Sequence, residues 1–400
     1  MLTPIPCFAR RINKKCRGTV DRQNMENPDP VKMIKNLNKS TITGFLYTTV
    51  VIVALYLIWL FHSMSTKEAT TCKRFDELYG KMNGKISSAY TSTNNGDFDH
   101  MFRDYYIKTA YNCCSTGDYK NGIVSTCALK SVMKQGARGL DFEVYSIGDE
   151  PVVATSTEHN NYVKETLNSV KFSDVMNMLT SYAFSAGTVP NPLDPIIVHL
   201  RFKSTNLAMY NNLAKIFKSH TSRLLDTTKY GNEYKYENFG KVPLEVMMGK
   251  IVIIVNNNNR TFADVPEMFK YVNMSSGSIF MRQLSVDEVV NNPNTTELTE
   301  YNRRQMTICT PNTLEMSPPN PSSVLCRNLG IQMVAVRYQE SDVNLEEQTL
   351  FFNKENHAFV LKPAKFRYIQ KCIPIPKKQD PALSFAPRKL EGPLGSKYSL

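Results

Sequence analysis

The most strongly patterned part of the chain is an apolar run at residues 44–61, which reads GFLYTTVVIVALYLIWLF. No charged side chain occurs between Ser40 and Phe61. A helix of about 20 apolar residues crosses a hydrocarbon core about 30 Å thick. A cleaved signal peptide would have a shorter apolar region nearer the N-terminus, and a buried core helix is the other alternative. The pattern therefore predicts a transmembrane helix over residues 44–63.

Beyond this run, strand-like and helix-like patterns alternate. The predicted strands are residues 104–109, 139–145, 151–155, 195–202, 250–256, 332–339 and 357–361. The predicted helices are residues 129–135, 172–184 and 206–217. Two of the strands are almost wholly apolar, as expected when both faces of a sheet are covered. Strand–helix alternation over roughly 250 residues predicts an α/β fold, a TIM-type (β/α) barrel.

The same patterns divide the chain into five parts. They are a basic arm (1–43), the transmembrane helix (44–63), a polar stalk or connector (64–100), the barrel (101–372) and a Pro-rich tail (373–400). One short helix is predicted in the connector, near residues 75–82. The tail is predicted to be disordered, because proline, small and basic residues cannot bury enough apolar surface to fold.

The 400 residues carry a formal net charge of +12, and the basic residues are unevenly placed. The arm before the apolar run holds nine Lys/Arg and three acidic residues, whereas the twenty residues after the run hold four Lys/Arg. This bias predicts a cytosolic N-terminus and a lumenal or external barrel. N-x-S/T triplets at Asn259, Asn273 and Asn294 are compatible with that side. Nucleic-acid binding is the competing explanation of the charge, but no motif supports it.

Seven cysteines follow the apolar run. They are Cys72, Cys113, Cys114, Cys127, Cys309, Cys326 and Cys372. None forms a CxxC pair, so a structural zinc site is not predicted. In an external domain one or two disulfides are expected, with Cys113 or Cys114 to Cys127 as a candidate. Buried, reduced cysteines are the alternative.

Seven segments in order carry a family resemblance. They are YYIKTAYN (105–112), ALKSVMKQGARGLDFEVYSIGDEPVV (128–153), FSDVMNMLTSYAFS (172–185), DPIIVHLRFKS (194–204), GKIVIIV (249–255), GIQMVAVRYQ (330–339) and HAFVLKP (357–363). Residues 101–256 resemble the X box, and residues 297–370 the Y box, of eukaryotic phosphoinositide-specific phospholipase C. The divergence and the N-terminal anchor are similar to members encoded by large DNA viruses, which implies a virion or host membrane.

The resemblance implies a barrel that cleaves a phosphodiester at the carboxyl ends of its strands. In the family, a base activates the inositol 2-hydroxyl, an acid protonates the departing diacylglycerol, and calcium offsets the phosphate charge. An asparagine and two or three carboxylates hold the calcium, and one histidine lies on each side of the phosphate.

Most of these positions carry other residues here. The first histidine falls on Tyr111 and the second on Thr157, and the inositol-phosphate-binding lysine falls on Ile254. Among the calcium ligands, Asn112 and Asp141 are kept, whereas Gly139 and Arg201 replace glutamates.

Tyrosine titrates near 10 and is a poor base at neutral pH, and threonine has no ionisable proton. Calcium takes six to eight oxygens, so two remaining ligands are too few, and Arg201 would repel the ion. We therefore expect no calcium cofactor. The sequence predicts a catalytically degenerate, membrane-anchored phospholipase C-like protein that acts as a structural or binding module.

Three alternatives stay open at this stage. An active, calcium-independent phosphoric diester hydrolase would need His159 or His199 together with Arg201. Without cleavage, Asn112 and Arg201 could receive a phosphorylated headgroup of a membrane lipid, including a phosphoinositide. Asp141 and Arg201 could also form an internal ion pair in place of the metal, because both come from strand ends of one barrel.

Overall fold

The computed structural model describes residues 39–89, 99–157, 162–369, 377–380, 383 and 387–399. The chain divides into two compact units, Met1–Ser63 and Met64–Leu400. Of the sites predicted from sequence, His159 lies outside the described residues, as does Cys372.

The first helix, α1 (Lys39–Tyr79), contains the apolar run. Its large side chains from Phe45 to Phe61 are exposed except Leu60, with Trp59 at 61% and Phe61 at 77%. Within the described residues, this is the one helix long and apolar enough to cross a membrane.

The helix continues much farther than the sequence pattern predicted. In place of one short helix near residues 75–82, α1 runs unbroken to Tyr79. Phe75 is 2% exposed and belongs to the main hydrophobic core, and the Tyr79 hydroxyl donates to the carbonyl of Tyr338 at 2.9 Å. These contacts with the core hold the polar part of α1, after the apolar run, in place.

Eight parallel strands form a nearly closed barrel, which confirms the predicted fold. The strands are β1 (Tyr105–Ala110), β2 (Gly139–Ile147), β5 (Ile196–Lys203), β6 (Ile251–Asn256), β7 (Met274–Ser276), β8 (Met281–Ser285), β9 (Met306–Thr310) and β10 (Met333–Val336). They pair in the order β7-β6-β5-β2-β1-β10-β9-β8. Three short antiparallel strands extend this sheet: β3 (Glu150–Ala154), β4 (Val170–Lys171) and β11 (Phe359–Leu361).

Nine further helices are described after α1. They are α2 (Thr126–Lys134), α3 (Phe172–Tyr182), α4 (Leu207–Ser219), α5 (Thr227–Lys235), α6 (Pro266–Phe269), α7 (Val286–Val290), α8 (Thr295–Arg304), α9 (Ser323–Asn328) and α10 (Val343–Glu355). Leu140, Phe142 and Val144 of β2 point outward and pack into the core that these helices cover. The interior is lined by a second cluster that includes Ile197, Ile254 and Met333.

Two sequence-based expectations need correction here. Cys127 forms its disulfide with Cys72 of α1, whereas Cys113 and Cys114 are buried free thiols. In the tail, β12 (Lys389–Glu391) and β13 (Lys397–Ser399) pair as an exposed antiparallel hairpin where disorder was predicted.

Candidate functional site

The candidate site lies inside the barrel, towards the carboxyl ends of β2 and β5. Side chains two apart on a strand share a face, so Asp141 and Glu143 of β2 both point inward. The two strands are in parallel register, with Asp141 opposite His199 and Glu143 opposite Arg201. All four residues are buried, which brings two acids and a guanidinium together in the interior.

The guanidinium of Arg201 is the centre of this cluster. Its Nε and Nη2 donate to the two carboxylate oxygens of Asp141, at 3.0 and 2.7 Å. Nη1 donates to Oε1 of Glu143, and Nη2 also donates to Oδ1 of Asn112 at 2.8 Å. Four of the five N–H groups of the guanidinium therefore have acceptors within the protein.

Tyr111, at the position of the family's first histidine, also contacts Arg201. Its ring centroid lies 4.3 Å from the guanidinium carbon, a cation–π contact. The side chain is 1% exposed, and its hydroxyl has no hydrogen-bond partner in the described part of the chain. Tyr111 therefore packs against the cation and presents no proton acceptor to the cleft.

Asn112 joins the cluster through both its backbone and its side chain. Its φ of 46° is in the left-handed region, which asparagine tolerates better than most residues. This turn directs the backbone N–H towards Oδ1 of Asp141, at 3.2 Å, while Oδ1 of Asn112 accepts from Arg201. The one asparagine kept from the family pattern thus faces a guanidinium.

His199 is fully buried and has a partner at each ring nitrogen. Nδ1 lies 2.6 Å from Oδ2 of Asp141, and Nε2 lies 2.8 Å from the hydroxyl of Ser276. That hydroxyl is also 3.1 Å from Oε1 of Gln283, which lines the cleft described below. The imidazole is therefore part of a buried hydrogen-bond chain and has no exposed surface.

The electrostatics of Asp141 and Arg201 follow from their contact. Burial by itself would raise the pKa of Asp141, but the Arg201 charge and the His199 hydrogen bond outweigh it and hold that pKa at about 2. Burial would lower the pKa of Arg201, but Asp141, Tyr111 and Glu143 together raise it well above its ordinary value. Both groups are ionised at neutral pH, so the cluster is a buried ion pair.

The position of the second histidine has a different environment. The backbone N–H and the hydroxyl of Thr157 both donate to Oε2 of Glu165, at 2.8 and 2.5 Å. Lys120 lies 3.1 Å from the other oxygen of that carboxylate. The Thr157 hydrogen bonds, opposed by partial burial, lower the pKa of Glu165 to about 2, so Glu165 is an ionised acceptor and not a proton donor.

Gly139, at the position of a family calcium ligand, has no room for a side chain. A Cβ placed there would lie 2.4 Å from Oγ1 of Thr109 on the neighbouring strand. A glutamate at residue 139 would therefore require the Thr109 side chain to move. The side chain of Thr109 thus occupies the space that this ligand would need.

The hydrogen bonds made by the oxygens of this cluster show whether a calcium ion fits among them. The oxygens of Asp141 and Asn112, and one oxygen of Glu143, accept hydrogen bonds from Arg201. The second oxygen of Glu143 accepts from the Tyr145 hydroxyl at 2.8 Å and from the Ser156 N–H at 3.1 Å. Calcium needs six to eight oxygens and repels a guanidinium, so this donor set does not fit the ion.

A polar cleft of about 610 Å³ opens above the ion pair. Arg201 and Lys203 of β5 line it together with Asn256 and Gln283. These residues lie towards the carboxyl ends of β5, β6 and β8. The cleft is therefore at the end of the barrel where such folds hold their ligands.

Comparison with known proteins identifies the family. The profile described as "Phosphatidylinositol-specific phospholipase C, X domain" matches residues 98–257. The profile for the Y domain matches residues 250–365, so both halves of the family's barrel are present and in order. The chain belongs to the phosphatidylinositol-specific phospholipase C family. No curated protein matches it by sequence.

Solved structures agree on the fold. The phospholipase C called PLC21 from L. pealei has a TM-score of 0.55 and 18% identity, over 68% of this chain and 38% of its own length. PLC21 from S. officinalis has a TM-score of 0.55 and 19% identity, over 69% of this chain and 39% of its own. This chain thus spans under two fifths of the length of either structure.

Within this phospholipase C barrel, the residues suggested by sequence do not all meet. Asn112, Asp141, His199 and Arg201 are in one cluster, with Tyr111 against the guanidinium, whereas Thr157 is bonded to Glu165. Ile254 is buried in the interior, opposite His199. Sequence reasoning missed Glu143, which strand alternation from Asp141 could have found. It also missed Ser276, for which the sequence offers no signal.

Proposed function

We propose that this chain is a membrane-anchored phospholipase C-like protein that binds a phosphorylated inositol headgroup without cleaving it. One observation carries the proposal: Arg201 donates hydrogen bonds to Asp141, Glu143 and Asn112. In the family, a divalent cation supplies the positive charge at this place. Here the Arg201 side chain supplies it, and a guanidinium cannot dissociate from the protein and cannot coordinate a substrate oxygen as a metal does.

The environments of the residues at the family's histidine positions support the same conclusion. Tyr111 is buried against a cation, and burial, the largest effect, raises its pKa well above the ordinary value. Thr157 has no ionisable proton, and both nitrogens of His199 have partners. Metal-independent hydrolysis through His159, which lies outside the described residues, is the alternative, and turnover in the test below would favour it.

The cleft supports the binding part of the proposal. Arg201 lies at its floor, and Lys203, half-buried two residues farther along β5, adds a second cation. Hydrogen-bonding side chains, among them Asn256 and Gln283, line the rest of the cleft together with one acid, Glu288, whose Oε2 accepts the backbone N–H of Ser285 at 2.7 Å. Lys203 and the one N–H of Arg201 that is not bonded to Asp141, Glu143 or Asn112 suit, together with the amide and hydroxyl groups, a phosphate attached to a polyhydroxylated ring.

We also propose that α1 spans a membrane, with the N-terminus cytosolic and the barrel lumenal or external. The excess of basic residues before the apolar run and the disulfide between Cys72 and Cys127 support this topology, because disulfides persist in oxidising compartments. A virion or host membrane, which the resemblance implies, stays a prediction.

The test uses the full chain in detergent micelles that contain phosphatidylinositol. Release of diacylglycerol and of soluble inositol phosphate is measured with calcium and with a chelator. Binding of radiolabelled inositol 1-phosphate is measured by equilibrium dialysis. We expect saturable binding and no release under either condition.

Two lysine-to-glutamine variants distinguish binding in the cleft from a general effect of positive charge. Lys203→Gln is expected to weaken inositol phosphate binding roughly tenfold, because it removes a charge-assisted hydrogen bond. Lys215→Gln, at an exposed position on α4, is the matched control and should bind like the unmodified chain. Equal binding by both variants would contradict the proposed cleft, and product release would contradict the loss of catalysis.

A further inference from the structure

Three N-x-S/T triplets follow α1, and the structure gives their asparagines very different environments. An oligosaccharide can remain on a folded protein only where the asparagine amide reaches solvent. Asn259 and Asn273 are 8% and 2% exposed, whereas Asn294 is exposed. Exposure therefore favours Asn294 as the acceptor over the two buried asparagines.

Asn259 is held in the fold by both ends of its amide. Its Nδ2 donates to the carbonyl of Ser204 at 2.7 Å, and its Oδ1 accepts from the backbone N–H and the hydroxyl of Thr261, at 3.2 and 2.8 Å. Thr261 is the hydroxyl residue of this triplet, so its side chain is already bonded to the asparagine. A glycan on Nδ2 has no room at this buried position, so its attachment would pull the amide away from Ser204 and separate the end of β5 from the turn after β6.

Asn273 is equally engaged. Its Nδ2 donates to the carbonyl of Tyr230 at 2.8 Å, and its Oδ1 accepts from the N–H of Ile253 in β6 at 2.7 Å. A glycan has no room at this buried position, so its attachment would force the side chain out and leave the Tyr230 carbonyl and the Ile253 N–H without these partners.

Asn294 makes its structural hydrogen bond through Oδ1 and not through Nδ2. It caps α8 by accepting the N–H of Glu297 on its Oδ1 at 2.9 Å, and Nδ2 donates to no other residue in the described ranges. Attachment through Nδ2 leaves Oδ1 free to keep the cap. Thr295 and Thr296 are exposed beside it, so the complete triplet is accessible.

We infer that Asn294 carries an N-linked glycan and is the single acceptor among these three triplets. The inference rests on the proposed lumenal or external barrel. The co-reactant is a lipid pyrophosphate-linked oligosaccharide. Nδ2 forms a bond to the anomeric carbon as the bond from that carbon to the pyrophosphate oxygen breaks. The lipid pyrophosphate leaves with the electron pair, and a base of the transferase takes one amide proton.

The experiment expresses the full chain with a C-terminal epitope in mammalian microsomes. Endoglycosidase treatment should produce one downward step in electrophoretic mobility. Asn294→Asp removes the acceptor but retains a good helix cap, and Thr296→Ala removes the triplet while leaving the asparagine. Both variants should lose the step completely, whereas Asn259→Asp and Asn273→Asp should keep it.

Protease protection of the epitope in the same microsomes tests the proposed topology separately from the assignment of Asn294 as the acceptor. A protected epitope without a mobility step would overturn the acceptor assignment and leave the topology standing. An accessible epitope would overturn both. A step that persists in Asn294→Asp, or that disappears with Asn259→Asp or Asn273→Asp, would overturn the argument from burial.

Discussion

Replacing Arg201 with methionine is expected to lower the free energy of unfolding by about 3–5 kcal/mol. Methionine keeps much of the apolar length of the side chain but removes its charge and all its donors. The carboxylates of Asp141 and Glu143, 0% and 1% exposed, would then be buried without a counter-charge, and Asn112 would lose its donor. Chemical unfolding of the full chain in detergent, followed by circular dichroism, measures the change.

A matched variant distinguishes this mechanism from simple loss of packing. Arg201→Met combined with Asp141→Asn and Glu143→Gln removes both anions with little change of shape. We expect the triple variant to recover a large part of the lost stability, because replacing a whole buried ion pair costs far less than breaking it. A loss below about 1 kcal/mol in Arg201→Met, the range of an exposed pair, would contradict the buried ion pair.

Removing the disulfide is the second change with a large expected effect. Cys72 and Cys127 are 55 residues apart, and a cross-link over such a loop stabilises a fold by roughly 4 kcal/mol in the chain-entropy account. The double variant Cys72→Ser, Cys127→Ser should therefore unfold at a clearly lower denaturant concentration, because α1 is no longer linked covalently to α2.

A reductant provides the control for that measurement. Dithiothreitol should shift the unfolding of the unmodified chain towards that of the double variant and leave the double variant unchanged. Cys113 and Cys114 are buried free thiols, so they contribute no reducible bond within the described residues. An unmodified chain that is insensitive to dithiothreitol would show that the cross-link does not stabilise the fold.

The sequence predicted the barrel because its central strands are nearly continuous apolar runs. β5 and β6 are found within a residue or two of the predicted positions. Three of the eight barrel strands escaped prediction for identifiable reasons. β7 has three residues, β8 reads MRQLS and β9 reads MTICT, so neither length nor apolar pattern marks them. Their pairing depends on tertiary contacts that the sequence does not display.

Parts of the site could be predicted and parts could not. Strand alternation places Arg201 and His199 on one face, and the pairing of Arg201 with Asp141 that was considered from sequence is present at 2.7 Å. Glu143 lies on the same strand face as Asp141, but it does not fall on a position of the family pattern. The contact of His199 with Ser276 needs the position of β7, and the cation–π contact of Tyr111 needs the turn at Asn112.

The central claim is that Arg201 takes the place of the family's calcium, and calcium titration tests it most directly. The purified full chain in detergent is heated with millimolar calcium and with a chelator. A ligand that binds the native state raises the unfolding temperature by mass action. The account predicts the same unfolding temperature in both conditions. A rise in calcium that disappears in Asp141→Asn would contradict it.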